Sequence, residues 1–500
     1  MKLVLSAALA ALAVTAAHAA PRPRVAKAAP AAPRIRNVIV MISDGAGYNS
    51  IEATRLWTGK PLTVDDPRFL RAAMSTYPLT HGNDPRPGPD GLKQDPRAVY
   101  DSARSWDTAA APADYKCPKG YKTGFAGYSW NCETYPDSAN TMSAMMNGNK
   151  SYNNAINTDG RGTPLVSAAE VAVAAGRVAG AVTTAQISDA TPAAGGGAHA
   201  ASRYARVGVA DEMFGRGLLS VIGGAGNPDF SDDATQRDPA EKDRFEWIGA
   251  PLWADLKSGR NDSHQNWLKW TLIDDRARIQ AIADGREPAP DRLAMIAKAK
   301  DGIAQYRGGL KASATEEPFA TPVPEAQPTL PELARAALAR LASGAKGFFL
   351  MIEESNTDRA AHANNLGRVI EARISFETTV KAVLDYVDQP GDAIDWSNTL
   401  LVVTADHDHL LTGPDGDKVP FQPVKPSPHG AGHLPLHQWF SHSHSNQLVP
   451  IWVYGAGANQ LIAKATKRDQ YCDPQHRCFG RGKYLDNTDL GRFLLATLKR

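Results

Sequence analysis

The sequence predicts an α/β fold with a large, mostly parallel central sheet, helices on both faces and long inserted loops. Six short apolar runs, separated by helical stretches, indicate the strands: 37–42, 178–184, 218–222, 347–352, 399–404 and 448–454. Such alternation is typical of a parallel sheet whose strands are connected by helices. Three of the runs end abruptly in acidic residues, and open α/β sheets bind ligands beyond the carboxyl ends of their strands.

One crossover helix and three long polar segments lie between these runs. Residues 331–343 carry a Leu and Ala stripe at helical spacing, with Pro331 in the first turn. The polar segments are 75–135, 229–328, which we expect to be helical with loops, and 411–441. Loops of this length in a compact domain are usually lids, binding loops or caps. We therefore expect these three segments, of which 75–135 and 229–328 are insertions in the domain, to set substrate preference.

The first 36 residues have the character of an export signal and a tether. Lys2, a short apolar stretch and the small residues Ala17 and Ala19 predict a signal peptide over residues 1–19. Residues 20–36 are rich in Ala and Pro and predict a linker. We expect an exported protein, periplasmic or extracellular, with no membrane span and with residues 37–500 as a single domain.

The composition excludes one class of partner and leaves the cysteines open. The 500 residues carry a formal net charge of +2, which lacks the basic surplus of a nucleic-acid-binding protein. Export permits disulfides. Cys117 with Cys132 and Cys472 with Cys478 are the pairs nearest in sequence, but sequence alone does not fix their connectivity.

Metal-ligand residues follow three of the predicted strands. They are Asp44 after the first, Glu353, Asp358 and His362 after the fourth, and Asp406 and His407 after the fifth. Carboxylates and imidazoles that converge on one rim repel one another unless cations lie among them. The sequence therefore predicts a multinuclear metal site.

Two further patterns involve helices. Asp358 and His362 are four residues apart, so on a helix they project from one face and can share an ion, although such a pair alone is more often a surface contact. Within residues 135–148, Asp137 and Ser138 are both good caps for the helix-favouring stretch of Ala, Met and Asn that follows Ser138. A hydroxyl at a helix N-terminus gains from the dipole and from backbone donors that hold a phosphate. Ser138 is therefore a candidate nucleophile as well as an ordinary cap.

Histidines are concentrated late in the chain. Seven of the thirteen fall between residues 407 and 444, which is too local for a random surface distribution. His442 or His444, just before the last predicted strand, could supply another metal ligand. Asp408 and His409 repeat the preceding Asp-His pair, and we expect them to be solvated or to lie behind the ligands.

Taken together, these motifs resemble those of the alkaline phosphatase family. The matching stretches occur in the family's order between residue 37 and about residue 455: MISDG, PDSANTMSA, TTAQISDATPAAGGGAHAASR, FFLMIEESNTDRAAH, TADH and HSNQLVPIWVYG. PDSANTMSA resembles the family's nucleophile motif. In the last stretch, His444 lies six residues before Pro450, as in the family's final ligand loop.

The resemblance implies a metal site with two zinc ions and one magnesium ion. It implies one zinc held by Asp358, His362 and His444, a second held by Asp44, Asp406, His407 and the Ser138 oxygen, and a magnesium held by Asp44, Thr191 and Glu353. It also implies that Arg203 binds two non-bridging phosphate oxygens. Imidazole with carboxylate suits zinc, and an all-oxygen set suits magnesium.

Three features depart from the family pattern. Glu353 is followed by Glu354 where the family usually has Gly, so Glu353 is selected by its five-residue spacing to Asp358. An additional glycine lies in GGGAH, so the role of Arg203 rests on the match to AHAASR. Segment 75–135 is longer than in the best-known bacterial members.

The reaction implied by the resemblance is hydrolysis of small phosphate monoesters through a phosphoserine intermediate. A phosphodiesterase or sulfatase of the same superfamily is the closest alternative. A secreted metal- or phosphate-binding protein without turnover is a remoter one, since it would leave Ser138 and Arg203 without a role. A homodimer is compatible with the sequence.

Overall fold

The computed structural model describes residues 35–111, 113–114, 117, 124–259, 268–308, 316–391 and 393–499. The predicted signal peptide and nearly all of the predicted linker lie outside these residues, as do parts of both insertions. The described residues form one compact unit.

Thirteen strands are defined among the described residues. They are β1 (Asn37–Ser43), β2 (Leu70–Ser75), β3 (Val178–Gln186), β4 (Val221–Ala225), β5 (Thr271–Ile273), β6 (Leu293–Ile296), β7 (Phe348–Glu354), β8 (Thr399–Thr404), β9 (Asp408–Thr412), β10 (Gln438–Ser445), β11 (Val449–Gly455), β12 (Lys467–Cys472) and β13 (Cys478–Asp486).

Fourteen α-helices are defined in the same part of the chain. They are α1 (Tyr48–Thr58), α2 (Ser102–Ser105), α3 (Ala126–Glu133), α4 (Ser138–Asn147), α5 (Ala168–Ala174), α6 (Ala190–Gly195), α7 (Arg206–Gly215), α8 (Ala250–Ser258), α9 (Arg276–Ala283), α10 (Leu330–Leu341), α11 (Asn356–His362), α12 (Leu366–Val387), α13 (Ala458–Ile462) and α14 (Asn487–Leu498).

Eleven of the strands form the central sheet, in the order β12-β13-β2-β11-β8-β1-β7-β3-β4-β6-β5. Every neighbouring pair from β8 to β5 is parallel, whereas β11 runs antiparallel to both β8 and β2. The remaining strands, β9 and β10, pair antiparallel in a small separate sheet. The predicted large, mostly parallel sheet is therefore confirmed.

Strand β1 lies at the centre of the sheet, and its burial explains why residues 38–42 are all apolar. All seven residues of β1 are buried. Val38, Val40 and Ile42 pack into one hydrophobic cluster, whereas Ile39 and Met41 pack into a second. Alternate side chains of a strand point to opposite faces, so the two clusters are the helix-covered layers on either side of the sheet.

The predicted crossover helix is α10, which begins and ends slightly earlier than expected. Glu332 accepts a hydrogen bond from the backbone N–H of Thr329, and together they form a capping box at its start. Leu333, Leu338 and Leu341 are buried against the second cluster. Amphipathic spacing together with a cap accounts for this helix.

Several elements differ from the sequence prediction. The strand expected at 218–222 is β4, which begins three residues later, at Val221. The insertion 229–328, expected to be helical with loops, also supplies the sheet strands β5 and β6. These two strands span three and four residues, too short for periodicity to identify.

Both nearest-neighbour cysteine pairs form disulfides, Cys117 with Cys132 and Cys472 with Cys478. The second joins β12 to β13. Within the described residues, no helix combines the length and apolar character that a membrane crossing requires.

Candidate metal centre

The acidic residues that follow three strands meet at one edge of the central sheet. Strand β1 lies between β7 and β8, and Ile42 is in register with Glu353 on one side and Thr404 on the other. The chain then continues from β1 into Asp44 and from β8 into Asp406. Parallel strands with this register bring their carboxyl ends to the same rim.

The turn after β1 is close-packed against the other ligand segments. Gly45 has a φ of +69°, and a Cβ at this position would lie 2.9 Å from Asp358 Cα and 3.0 Å from a ring carbon of His409. Its backbone N–H donates to Asp406 Oδ1 at 3.0 Å. Glycine is therefore needed here both for the left-handed backbone and for the close approach.

Asp358 is surrounded by imidazoles. Its Oδ1 lies 2.8 Å from His409 Nε2, 3.2 Å from His444 Nε2 and 3.4 Å from His362 Nε2. The Nε2 atoms of His444 and His362 are themselves 3.0 Å apart. Helix α11 explains the approach of His362, since it is four residues from Asp358 on one helical face.

His407 contacts two further carboxylates, those of Asp44 and Asp406. Its Nε2 lies 3.3 Å from Asp44 Oδ1 and 3.4 Å from Asp406 Oδ2. Its ring is stacked on that of His444, with centroids 3.5 Å apart. Two sets of side chains could each hold an ion, because within each set the ligand atoms lie within 4.8 Å of one another. The first set is Asp358, His407, His409 and His444, and the second is Asp44, Asp406 and His407. We call these six residues the metal-ligand cluster.

Burial and like charges shift the titration of this cluster strongly. Burial, followed by the nearby carboxylates of Asp406 and Asp358, raises the pKa of Asp44 well above its usual value. Burial raises the pKa of Asp406 to about 6 and that of Glu353 to about 8. Burial likewise lowers the pKa of His407 well below its usual value and that of His409 to about 4. These shifts disfavour the charged forms of Asp44, Asp406 and Glu353 and of the two imidazole rings.

Asp358 is the exception among the carboxylates. Burial alone would raise its pKa, but the imidazoles of His362, His409 and His444 outweigh burial and bring the pKa well below its usual value. The same contact works in reverse on His444, where the Asp358 carboxylate overcomes burial and raises the pKa of the ring. Asp358 is therefore the anionic centre of the imidazole group.

Several buried oxygens at this rim lack a hydrogen-bond partner among the residues that the structure describes. They are Asp44 Oδ1, Asp406 Oδ2 and Thr191 Oγ1. Most buried polar atoms in proteins are paired, and an oxygen lone pair left over beside a carboxylate is a natural cation ligand. The residues present therefore fit bound metal ions, with nitrogen and oxygen donors together around His407 and a further unpaired oxygen donor at Thr191.

Of the two alternatives expected for Asp408 and His409, their burial contradicts solvation, whereas the contact of His409 with Asp358 agrees with a place behind the ligands. Their relative exposures are 6% and 1%. His409 contacts Asp358 directly, and Asp408 accepts a hydrogen bond from Ser445 Oγ at 2.6 Å. Both residues are buried because they belong to strand β9, which pairs antiparallel with β10. Strand β9 was not predicted from the sequence.

Glu353 and Glu354 are separated by the alternation of strand β7. Glu353 accepts a hydrogen bond from the Thr183 hydroxyl, and Glu354 Oε1 accepts one from Thr184 Oγ1 at 2.7 Å. Asp44 and Glu353 affect each other's pKa, whereas neither is among the groups that shift the pKa of Glu354. Thr191 is buried in α6, which packs against β3 and β7. The choice of Glu353 over Glu354 is consistent with this placement.

Ser138 is the first residue of α4 and faces the cluster. The capping residue is Asp137, whose Oδ1 accepts from the backbone N–H of Asn140 at 3.0 Å. Ser138 Oγ lies 3.2 Å from His407 Nε2. The hydroxyl is therefore placed at both a helix N-terminus and the metal-ligand cluster.

Arg203 is held beside Ser138 by two helix-capping carboxylates. Its Nη2 donates to Asp189 Oδ1 at 2.8 Å, and its Nη1 lies 3.3 Å from Asp137 Oδ2. Burial alone would lower the pKa of Arg203, but these two carboxylates outweigh burial and raise it. The sequence motifs predicted no role for Asp189 and only a capping role for Asp137. An acid directly before each of two helices was the available signal.

The two late histidines differ sharply in position. His444 is buried on β10 in register with His409, and its Nδ1 is 2.8 Å from the Pro136 carbonyl oxygen. His442 is exposed, and its Nδ1 lies 2.9 Å from the His362 carbonyl oxygen. Of the two, His444 therefore belongs to the metal-ligand cluster and His442 lies at its outer edge.

The cluster opens into a cavity of about 960 Å³. Ser138, Arg203, Asp358, His362 and His444 line this cavity. Residues from the insertion 229–328, among them Trp247, Lys300 and Tyr306, also line it. The insertion 229–328 therefore contributes to the cavity wall, whereas Asn83 and Tyr135 are the residues of 75–135 that reach it in the described part of that segment.

A family model described as alkaline phosphatase matches residues 121–427, more than half of the chain. The chain belongs to the alkaline phosphatase family. Among curated members, the alkaline phosphatase of Escherichia fergusonii is 29% identical over 309 residues, covering 56% of this chain and 59% of the relative. Alkaline phosphatase 4 of Bacillus subtilis is 27% identical over 394 residues, covering 77% of this chain and 64% of the relative. The chain thus spans about 60% of the length of such relatives.

The solved structures of alkaline phosphatases share the fold. The enzyme from the Antarctic bacterium TAB5 matches with a TM-score of 0.58 at 18% identity, covering 94% of this chain and 99% of its own. A mutant of that protein has been solved with Mg bound in its M3 site. At this identity the likeness shows the fold, and the ligand assignments depend on the residues described above.

Proposed function

We propose that this member of the alkaline phosphatase family hydrolyses phosphate monoesters to an alcohol and inorganic phosphate, with Ser138 as the nucleophile. The observation that carries the proposal is the position of Ser138 Oγ. It starts helix α4, lies 3.2 Å from His407 Nε2 and shares a cavity with Arg203. A phosphoryl group seated there would meet a hydroxyl, backbone donors and a guanidinium together.

The residues present fit two zinc ions and one magnesium ion. We propose that Asp358, His362 and His444 hold one zinc, that Asp44, Asp406, His407 and Ser138 hold the other, and that Asp44, Thr191 and Glu353 hold the magnesium. When bound, a zinc pair supplies Lewis-acid activation of the attacking oxygen and stabilises the leaving oxygen of an in-line displacement. His409, which contacts Asp358, would orient that ligand from behind.

The chain's own groups then divide the reaction into two displacements. Ser138 Oγ gives up its proton and forms a bond to phosphorus as the bond from phosphorus to the ester oxygen breaks, and the alcohol leaves with a proton. Water next attacks the phosphoserine, its oxygen bonds to phosphorus, and the Ser138 oxygen is released and regains a proton. Covalent catalysis in this form replaces one difficult step by two easier ones.

Arg203 supports a monoester rather than a diester substrate. Its planar guanidinium offers paired donors that match two phosphate oxygens, and Asp137 and Asp189 hold it in place from one side. A phosphate monoester offers the guanidinium two charged oxygens. A diester has one fewer charged oxygen for Arg203 to bind. Phosphodiesterase and sulfatase activities are therefore the alternatives to be tested.

The deciding experiment compares phosphate or sulfate release from a monoester, a diester and a sulfate ester by the zinc- and magnesium-loaded protein. We expect the monoester to be the preferred substrate. Arg203→Ala should reduce kcat/KM for the monoester by about 30-fold, which corresponds to about 2 kcal/mol, and reduce diester hydrolysis much less. Preference for the diester or sulfate ester would replace the proposal, and equal losses for both phosphate esters would remove the role of Arg203.

We also propose export, with a signal peptide ending at about Ala19. N-terminal sequencing of the protein recovered outside the cytoplasm tests this point. Recovery of the chain with residues 1–19 intact from the cytoplasm alone would contradict it.

A further inference from the structure

The cavity above Ser138 is much larger than a phosphate group needs. Its volume of about 960 Å³ is at the upper end of the roughly 300–1,000 Å³ that small-molecule sites occupy. With the phosphoryl group at Ser138 and Arg203, the rest of this space faces the alcohol part of the substrate. The wall of that space should therefore recognise the leaving group.

Aromatic side chains form much of this wall. Tyr135, Tyr204, Trp247 and Tyr306 all line the cavity and come from separate parts of the chain. Tyr135 packs edge-on against His444, with ring centroids 5.8 Å apart. The guanidinium of Arg206 lies 4.0 Å from the ring centroid of Trp247, and that of Arg359 lies 5.6 Å from the ring centroid of Tyr306. These three side chains are buried or half-buried as well as packed against neighbouring groups.

Tyr204 is different, because it is 65% exposed. Its backbone is fixed on both sides. Arg203 donates its N–H to the Asn154 carbonyl oxygen at 2.8 Å, the N–H of Tyr204 lies 3.3 Å from Ser202 Oγ, and α7 begins two residues later. The guanidinium of Arg206 lies 5.8 Å from the ring. A large aromatic ring is thus held in place next to the phosphate-binding arginine while most of its surface faces open space.

The charged groups of the same wall are largely paired with one another. Arg206 forms an ion pair with Glu246. Lys300 pairs with Asp243 and lies 3.5 Å from Asp301. Trp247 Nε1 also lies 3.3 Å from Asp301 Oδ1. With these charges compensated, the exposed aromatic face of Tyr204 is available to recognise a substrate.

We propose that Tyr204 is a specificity-determining residue that stacks on a planar ring of the leaving alcohol, as in a nucleoside 5′-monophosphate. This inference rests on the proposed monoesterase function and names the substrate class that the site prefers. Stacking of a base on an aromatic side chain is favourable and tolerant of base identity. The preference should therefore extend over nucleoside monophosphates of different base.

The test compares adenosine 5′-monophosphate with ribose 5-phosphate, which share the ester position and differ in the base. We expect the metal-loaded protein to favour the nucleotide by about tenfold in kcat/KM, within the range of one base-stacking contact. Tyr204→Ala should bring this ratio to about one. Tyr204→Phe keeps the ring and should keep the ratio, as should Phe319→Ala, which removes an exposed aromatic ring outside this cavity.

The outcomes separate this inference from the function on which it rests. A merely structural effect of Tyr204→Ala would lower kcat/KM for both substrates alike and leave the ratio unchanged, which would overturn the inference. Equal kcat/KM for the two substrates in the unmodified protein would also overturn it, while hydrolysis of both would leave the monoesterase function standing. If the metal-loaded protein hydrolysed neither substrate, both the inference and the proposed function would fall.

Discussion

Two regions of this molecule bury charge, and they do so in opposite ways. In the metal-ligand cluster, carboxylates face carboxylates, and the rings of His407 and His444 are stacked with their centroids 3.5 Å apart. In the second region, which we call the Arg307 network, Arg307 and Arg368 face Glu316 and Glu371. Arg307 Nη2 lies 2.6 Å from Glu371 Oε2, with the two side chains 2% and 9% exposed.

The two regions differ in whether their charged groups find hydrogen-bond partners within the protein. The nitrogens of Arg307 donate to Glu371, to the Thr321 carbonyl and to the Ala304 carbonyl. At the metal-ligand cluster, Asp44 Oδ1 and Asp406 Oδ2 find no hydrogen-bond partner in the described part of the chain. A buried charge is tolerated when it is paired. Arg307 is therefore fully paired within the protein, and Arg368 Nη1, which makes no hydrogen bond among the described residues, still lies 3.7 Å from Glu371 Oε2. We expect the cluster, in contrast, to need cations.

The largest expected effect is the loss of activity on removal of metal. We predict that the purified protein contains about two zinc ions per chain and that exhaustive chelation abolishes phosphate release. The reason is the uncompensated charge of the cluster. Elemental analysis and activity measured before and after chelation check this, with restoration by added zinc as the control. Full activity in a protein shown to be free of divalent ions would contradict it.

Ser138→Ala should be nearly as damaging to activity but should leave the metals in place. We expect turnover to fall by at least about 1,000-fold, because the variant lacks the attacking oxygen. Zinc content should stay close to that of the unmodified protein, since the carboxylates and imidazoles of the cluster remain. Phosphate trapped by acid quenching, located by mass spectrometry, should be on Ser138, and its recovery on another residue would contradict the assignment.

His444→Ala and His442→Ala form a matched pair two residues apart. His444 is buried and contacts Asp358, so its removal should lower zinc occupancy and reduce activity by about 100-fold. His442 is exposed, and its replacement should retain both zinc ions. Metal analysis of the two single variants measures the difference. Loss of zinc from His442→Ala but not from His444→Ala would place the ligand two residues earlier.

The smallest effect on catalysis is expected in the Arg307 network. Glu371→Ala leaves buried cations unpaired, so it should lower the free energy of unfolding by about 3 kcal/mol while the folded protein keeps its zinc. Lys381→Ala is the control, because it removes a pair between side chains 64% and 60% exposed and should cost about 0.5 kcal/mol. Denaturant unfolding gives both values. A loss of zinc from Glu371→Ala would show that the two regions are not independent.

The central part of the site could be predicted because its residues follow buried strands. Asp44, Glu353 and Asp406 lie at or directly after the ends of apolar runs, and the length and composition of these runs identify parallel strands. Ser138 is the first residue of a helix whose start is indicated by its capping residues. In these cases local sequence specifies both the element and the position of the functional group.

The role of His409 could not be predicted, because it depends on contacts distant in sequence. Strand β10 alternates Ser and His where an apolar pattern would be expected, and its partner β9 lies more than 25 residues earlier. Their pairing sets His409 opposite His444, and nothing local indicates that register. The same holds for the grip of Asp137 and Asp189 on Arg203, which joins the caps of two different helices.

The two ends of the central sheet have a consequence for self-association. An exposed edge strand is a template for another chain, and proteins blunt such edges with short strands and charged side chains. Here β5 has three residues, and β12 carries exposed Lys467 and Arg468 and is tied to β13 by Cys472 and Cys478. Both edge strands are therefore poorly suited to pair with a strand of a second chain. If the protein forms a homodimer, its two subunits should meet through helix and loop side chains.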